Sequence, residues 1–235
     1  MKRYQKLIIL IILSLTVYLV YQTDTKPLIN YISLGDGFSQ GENSYGGSTY
    51  GYEDYIKDYL KDQYEVNHLE VFAKKNNSIE MLKNSILENQ NILIKNNNYN
   101  LKKSLQEADI ITISIGLNDI IYEYNIKNRE NLSKYEKKVI CNNIYEEFQS
   151  LIFEIRKYTK KKIYIIGYPE RSKKYNYLIE NLNNKYKNNA KNNNLVFIDS
   201  NKLLDSEEYF DSNSIYPNTK GYKVIADAII SEIIE

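Results

Sequence analysis

Five short runs of the chain are dominated by apolar residues: LINYISL at 28–34, LEVFA at 69–73, ADIITISI at 108–115, KIYIIG at 162–167 and LVFID at 195–199. The runs at 108–115 and 162–167 read as continuous apolar strands of the kind buried on both faces. Helical patterns stand between and after them. Residues 52, 55, 56, 59 and 60 form one apolar or aromatic stripe. Ser78 can cap a helix through Met81, Leu82 and Ile86, with Glu80 in its first turn. Ser133 and Glu136 have capping-box spacing at the head of a long helix to about 158. Further helices are expected over 175–192 and 219–234. Strands alternating with helices through short connections imply a parallel sheet covered by helices on both faces. Functional sites in such sheets form at the carboxyl ends of the strands, here from Gly35, Lys74, Gly116, Tyr168 and Ser200 onward. No internal repeat or second hydrophobic unit is visible, so 235 residues read as one domain with a short appendage.

The appendage is N-terminal. Lys2, Arg3 and Lys6 precede the apolar run LIILIILSLTVYLVY at 7–21. At about 1.5 Å per residue this covers roughly 22 Å, short of a ~30 Å hydrocarbon core. Tyr4, Tyr18 and Tyr21 can extend it at the interfaces. No small-x-small cleavage site follows, and the single cysteine, Cys141, is too distant for lipid attachment. An uncleaved signal anchor is therefore favoured over a cleaved signal peptide, and a buried core helix is disfavoured because the stretch is apolar all round. The expected layout is a basic cytoplasmic tail over 1–6, a membrane helix over 7–22, a linker over 23–27 and an extracytoplasmic domain over 28–235. The chain is expected to cross the cell membrane once.

Composition excludes several functions. The balance of 31 Lys and Arg against 30 Asp and Glu gives a net charge of +1, too small for a general electrostatic grip on nucleic acid. A 43% hydrophobic content supports a core rather than disorder. One cysteine permits no internal disulfide and argues against a Cys-based zinc site, so no metal or cofactor is expected. One histidine means that any Ser-His or Cys-His hydrolase must use His68. The Asn- and Lys-rich runs at 95–98 and 187–194 match an AT-rich coding bias and carry no functional weight.

Three motifs stand at the strand ends. Gly35-Asp36-Gly37-Phe38-Ser39 follows the first strand, and Gly116-Leu117-Asn118-Asp119 follows the third. Asn213-Ser214-Ile215-Tyr216-Pro217-Asn218-Thr219-Lys220-Gly221-Tyr222 leads into the last helix. In this order they resemble the GDSL, or SGNH, hydrolase family over about residues 28–235. The resemblance implies a flavodoxin-like three-layer α/β/α sandwich and the activity of a lipase or esterase.

The departures carry as much weight. The family has its nucleophilic Ser directly after Gly-Asp, where this chain has Gly37. Its oxyanion-hole Gly after the second strand aligns with Asn76, and its oxyanion Asn with Asn118. Its closing Asp-x-x-His-Pro reads here as Asn213-x-x-Tyr216-Pro217. Nucleophile, acid and base are all replaced, while Gly35, Asp36, Gly116, Asn118, Asp119, Pro217, Gly221 and Tyr222 stay. Acyl transfer by a triad needs a hydroxyl, an imidazole and an orienting carboxylate. Gly37 has no side chain, Asn213 holds no charge, and tyrosine, with a pKa near ~10, is a poor base at neutral pH.

Other residues are weaker substitutes. Ser39 is expected near the pocket mouth, more as a turn cap than as a nucleophile. His68 is expected before the second strand, at the wrong end of the sheet and on the order of 16 Å from the site at ~3.3 Å per residue. Asp36 and Asp119 read as loop-fixing carboxylates, Asp205 and Asp211 as solvated acids, and Cys141 as a small helix filler. Residues 46–52 suggest a flexible lip on which Tyr45, Tyr50 and Tyr52 could stack against a sugar or lipid. The Lys-rich stretch 157–162 reads as a helix end. The leading expectation is a catalytically inactive, membrane-anchored domain that binds an envelope glycan, a lipid or a protein partner. The alternative is an unconventional esterase that recruits Ser39, a water or a carboxylate.

Overall fold

The computed structural model describes residues 2–23, 26–94, 97–126, 132–190 and 194–234. Parts of the expected linker (24–25) and of the Asn/Lys runs (95–96 and 191–193) lie outside the described residues, as do the side chains of Lys2, Arg3 and Lys6. In chain order the elements are α1 (Lys2–Thr23), β1 (Leu28–Gly35), α2 (Tyr52–Gln63), β2 (Glu65–Ala73), α3 (Ile79–Leu87), β3 (Asn91–Ile94), β4 (Asn97–Asn100) and α4 (Leu101–Glu107). They continue with β5 (Ile110–Ser114), α5 (Leu117–Ile126), α6 (Lys134–Arg156), β6 (Ile163–Ile166), α7 (Asn176–Ala190), β7 (Leu195–Ile198), α8 (Ser200–Leu203) and α9 (Thr219–Ile234).

The sheet has the order β2-β1-β5-β6-β7 and is parallel throughout. Strands β5 and β6 are buried at every residue, and the two hydroxyls on β5 are satisfied internally, Thr112 by the Tyr31 hydroxyl at 2.9 Å and Ser114 by donating to Ile166 O at 3.2 Å. Helices α2 and α9 pack together, while α6 packs against both α3 and α7, giving the three-layer α/β/α sandwich that the resemblance implied. Phe148, Leu151 and Ile155 on α6 are fully buried, each worth roughly 1.5–3 kcal/mol over an exposed side chain.

Local signals act where expected. The Ser78 hydroxyl accepts from Met81 N at 3.2 Å and caps α3. The Ser133 hydroxyl accepts from Glu136 N at 3.2 Å, and the Glu136 carboxylate accepts from Ser133 N at 2.9 Å. Other features differ from expectation. β2 starts at Glu65, not at 69, because parallel pairing with β1 from Leu28 onward orders the polar EVNH segment. The β3–β4 hairpin and α4 occupy the neighbourhood of the Asn-rich run, and the Asn100 side chain caps α4 by accepting from Lys103 N at 3.1 Å. Helix α5 begins directly after Gly116.

The N-terminal helix begins at Lys2 and runs to Thr23. Among the described residues no helix is long and apolar enough to cross a membrane, and the expected span over 7–22 is not found there. Ile8, Ile9, Leu10, Ile11, Ile12 and Leu13 are each more than half exposed.

Candidate functional site

The first strand end is built around two close approaches. Gly35 has φ +132°, and a Cβ on it would lie 2.0 Å from the Ser114 carbonyl oxygen, so only glycine lets β1 and β5 meet there. Asp36 N then donates to Ser114 O at 3.0 Å. The Asp36 carboxylate is buried and accepts from Phe38 N at 3.0 Å and from the Tyr168 hydroxyl at 2.6 Å. Asp119 does similar work on the next loop: both its oxygens accept from Ile79 N, at 3.2 and 3.3 Å, fixing the start of α3.

Burial pushes the Asp36 carboxyl up to about 7, against the hydrogen bonds from Tyr168 and Phe38. Burial likewise raises Glu53 to about 7 and Asp119 to about 6. Each of these groups holds its proton more tightly folded than unfolded. Their stabilising contribution is therefore complete below about pH 4 and is lost as pH rises through 6–7. The urea midpoint is expected to fall between pH 5 and pH 8, with each group contributing at most about 1.4 kcal/mol per pH unit. Asp36→Asn should flatten that slope. Urea unfolding at pH 5, 6, 7 and 8 checks both, and a midpoint that rises across the window would contradict the assignment.

Gly37 is where the resemblance places a nucleophile. A Cβ there would lie 2.0 Å from Glu42 Oε2 and 3.1 Å from the carboxyl carbon. The Glu42 carboxylate therefore occupies the space that a residue-37 side chain would need. The loop fixes the Glu42 backbone: Glu42 N donates to Gly37 O at 2.8 Å, and the Tyr222 hydroxyl donates to Glu42 O at 2.6 Å. Glu42 Oε1 pairs with Lys75 Nζ at 2.9 Å, and Lys75 also donates to Gly46 O at 2.6 Å. Glu42 Oε2 is buried with no hydrogen-bond partner among the described residues. The Tyr216 ring lies 6.4 Å from that of Phe38, in an aromatic cluster with Tyr168, Tyr222 and Tyr52. Burial, then the Asp36 and Glu42 carboxylates, hold the Tyr216 hydroxyl well above the usual tyrosine range, so it serves still less as a base. Asn213 is exposed. The structure thus gathers Gly37 and Tyr216 around Glu42 and leaves Asn213 in solvent.

The second and third strand ends are tied to each other. Asn118 Nδ2 donates to Lys75 O at 3.1 Å and to Asn77 O at 2.9 Å, so its amide is spent on the loop after β2. Asn76 is exposed at the rim of a cleft, and the buried residue of that loop is Asn77, whose Nδ2 donates to Gly35 O at 3.1 Å. Gly116 has φ +114°, and a Cβ on it would meet the Tyr186 hydroxyl at 2.7 Å. The cleft, about 660 Å³, lies between α3, α5 and α6.

Several expectations are corrected. Ser39 is fully buried rather than near the mouth: its hydroxyl donates to Leu34 O at 2.8 Å and accepts from Ser114 N at 3.1 Å and from the Tyr52 hydroxyl at 2.8 Å. It is structural because the tight Gly35 junction needs a small polar side chain there. Tyr52 is core rather than lip, and segment 46–52 is pinned by the Glu42–Ser48 bridge and by Thr49 N donating to Gly41 O at 2.7 Å. Of the three tyrosines expected on that lip, Tyr45 is 79% exposed, while Tyr50 packs on Tyr55 and donates to Asp58.

His68 lies inside β2, opposite Asn30 at the amino end of β1, with Glu70 at 3.6 Å and Glu107 at 4.0 Å. Asp205 and Asp211 are exposed, and the Cys141 thiol, pushed up to about 11 by burial, lies in the core beside α6's apolar face. Among the described residues no cluster of His, Cys, Asp and Glu could hold a metal ion. Sequence reasoning missed Glu42, which nothing distinguishes from the other acids until folding sets it over Gly37.

Solved structures share this architecture. A lipase from a goat rumen metagenome superposes with a TM-score of 0.68 at 17% identity, covering 86% of this chain and 96% of that one. An acetylxylan esterase from Geobacillus stearothermophilus gives 0.61 at 16% identity, covering 89% and 94%. A lipase/acylhydrolase from Enterococcus faecalis gives 0.59 at 16% identity, covering 87% and 95%. No curated protein matches the sequence. The model of the GDSL-like lipase/acylhydrolase family matches residues 31–229, nearly the whole folded domain and all three strand-end motifs, and the chain belongs to that family.

Proposed function

We propose that the protein is a non-catalytic member of its family, a binding domain for an envelope ligand or a protein partner. One observation carries this reading: the Glu42 carboxylate fills the space over Gly37 where a nucleophilic hydroxyl would stand. Three others support it. The Asn118 amide is engaged by two backbone carbonyls, Tyr216 is held in its protonated form, and Ser39 is locked beneath the site. The N-terminal helix, with its exposed isoleucines and leucines at 8–13, supports attachment of the domain to a membrane surface. A mature N-terminus at about residues 22–26, found by mass spectrometry of the membrane-extracted protein, would sink this attachment.

A second reading has its own observation. Glu42 is a buried carboxylate at the heart of the site, paired with Lys75, and could activate a water against acyl esters of a lipid or cell-wall glycan. Turnover of p-nitrophenyl acetate separates the two. The expected result is background hydrolysis by the wild type, unchanged in Ser39→Ala and Glu42→Gln. Turnover abolished by Glu42→Gln would establish the second reading instead.

A further inference from the structure

The cleft between α3, α5 and α6 combines features that the degenerate centre does not explain. Met81, Tyr122 and Ile126 line it and are 52%, 63% and 60% exposed, an apolar rim left uncovered by the described fold. Glu80, Asp119 and Glu147 also line it, and among the described residues no lysine or arginine does. Two cations stand beside it: Lys83 lines the adjoining groove, donates to Ser150 at 2.8 Å and partly offsets the charge of Glu147, and Lys174 donates to Asn125 at 3.0 Å on the rim. Burial, then Glu80 and Glu123, raise the Glu147 carboxyl against the lowering effect of Lys83, so the acids outweigh that lysine. The adjoining groove shares Glu80, Asn143 and Glu147 with the cleft and continues along α3 and α6 past Glu146, so the whole depression is elongated.

We propose that this groove docks an extended peptide segment of a protein partner in which a lysine or arginine sits between large apolar side chains. The apolar rim takes the flanking side chains, Tyr122 offers a ring face to the cation, and Glu80 and Glu147 neutralise it. Elongation favours a chain over a compact amine, and the Asn76 and Asn143 amides on the wall suit peptide groups. The same charge repels the carboxylate of a free fatty acid. The inference deepens the non-catalytic reading by naming its partner's chemistry.

The chain offers a built-in reporter, because it contains two methionines, Met1 and Met81, and Met81 lines the cleft. The full chain, labelled with 13C-methyl methionine in a neutral detergent, is titrated with acetyl-Leu-Lys-Phe-amide, with acetyl-Leu-Glu-Phe-amide and with phenethylamine. The expected result is a saturable shift of the Met81 resonance with the lysine peptide alone, Met1 unmoved. Glu80→Gln with Glu147→Gln should weaken that binding about three- to tenfold, in line with two exposed charge pairs. Equal shifts from the glutamate peptide would overturn the charge argument, equal shifts from phenethylamine would overturn the peptide, and no shift would overturn the site. Ester turnover by the wild type would sink the non-catalytic reading and leave this selectivity standing.

Discussion

Gly37→Ser combined with Asn213→Asp and Tyr216→His is expected to leave the chain inert, and adding Glu42→Gly is expected to give measurable ester turnover. The three changes supply the family's residue types at its sequence spacing, but Asn213 stands in solvent and a Cβ on residue 37 would stand 2.0 Å from Glu42 Oε2. That contact forces either the introduced serine or Glu42 out of place, and triad members contribute only as a unit. Removing the Glu42 side chain clears both the carboxylate and its Cβ, which would lie 3.3 Å from the new one. Activity should still fall short of a competent esterase. Asn118 Nδ2 remains bound to the Lys75 and Asn77 carbonyls, and a missing oxyanion donor costs on the order of 10²–10³ in rate. Hydrolysis of p-nitrophenyl acetate by the two purified variants checks this. Turnover by the triple variant alone would mean that Glu42 does not block the site.

Gly35→Ala is expected to abolish folding, although the residue does no chemistry. A Cβ at φ +132° is strained by itself, and here it would also run into Ser114 O at 2.0 Å and Ser39 Oγ at 2.5 Å. Neither can retreat: Ser114 O accepts from Asp36 N at 3.0 Å, and Ser39 holds three buried hydrogen bonds at the same junction. The cost should exceed about 4 kcal/mol, a large share of a single domain's stability. Circular dichroism with urea unfolding reads it directly, and a folded variant with an unchanged midpoint would refute it.

The contrast between these two positions explains what the sequence could and could not reveal. Gly35, Asp36, Gly116 and Asp119 mark their roles by residue type, because a positive φ, a close approach or a buried carboxylate on backbone amides admits few alternatives. The strands β5 and β6 are equally plain, because their isoleucine-rich runs leave few other elements open to them. The edge strand β2 is half hidden, since its first four residues, EVNH, take their order from pairing with β1 rather than from their own character. Helix α5 is hidden because its opening residues coincide with the Gly-x-Asn-Asp motif. The decisive feature of the site, Glu42, depends on a loop that turns back onto Gly37 through one 2.8 Å backbone bond, a tertiary relation with no periodic signature. Ser39 misleads for a similar reason: in a sequence it is a hydroxyl two residues from the expected nucleophile, and burial alone disqualifies it.

The central claim is that no serine in this fold is presented as a nucleophile, and covalent labelling with a fluorophosphonate tests it most directly. Intact-mass spectrometry of the wild-type chain after incubation with the probe should show no adduct. The variant carrying Gly37→Ser, Asn213→Asp, Tyr216→His and Glu42→Gly should show one adduct, mapped to position 37. A stoichiometric adduct on any serine of the wild-type protein would contradict the account.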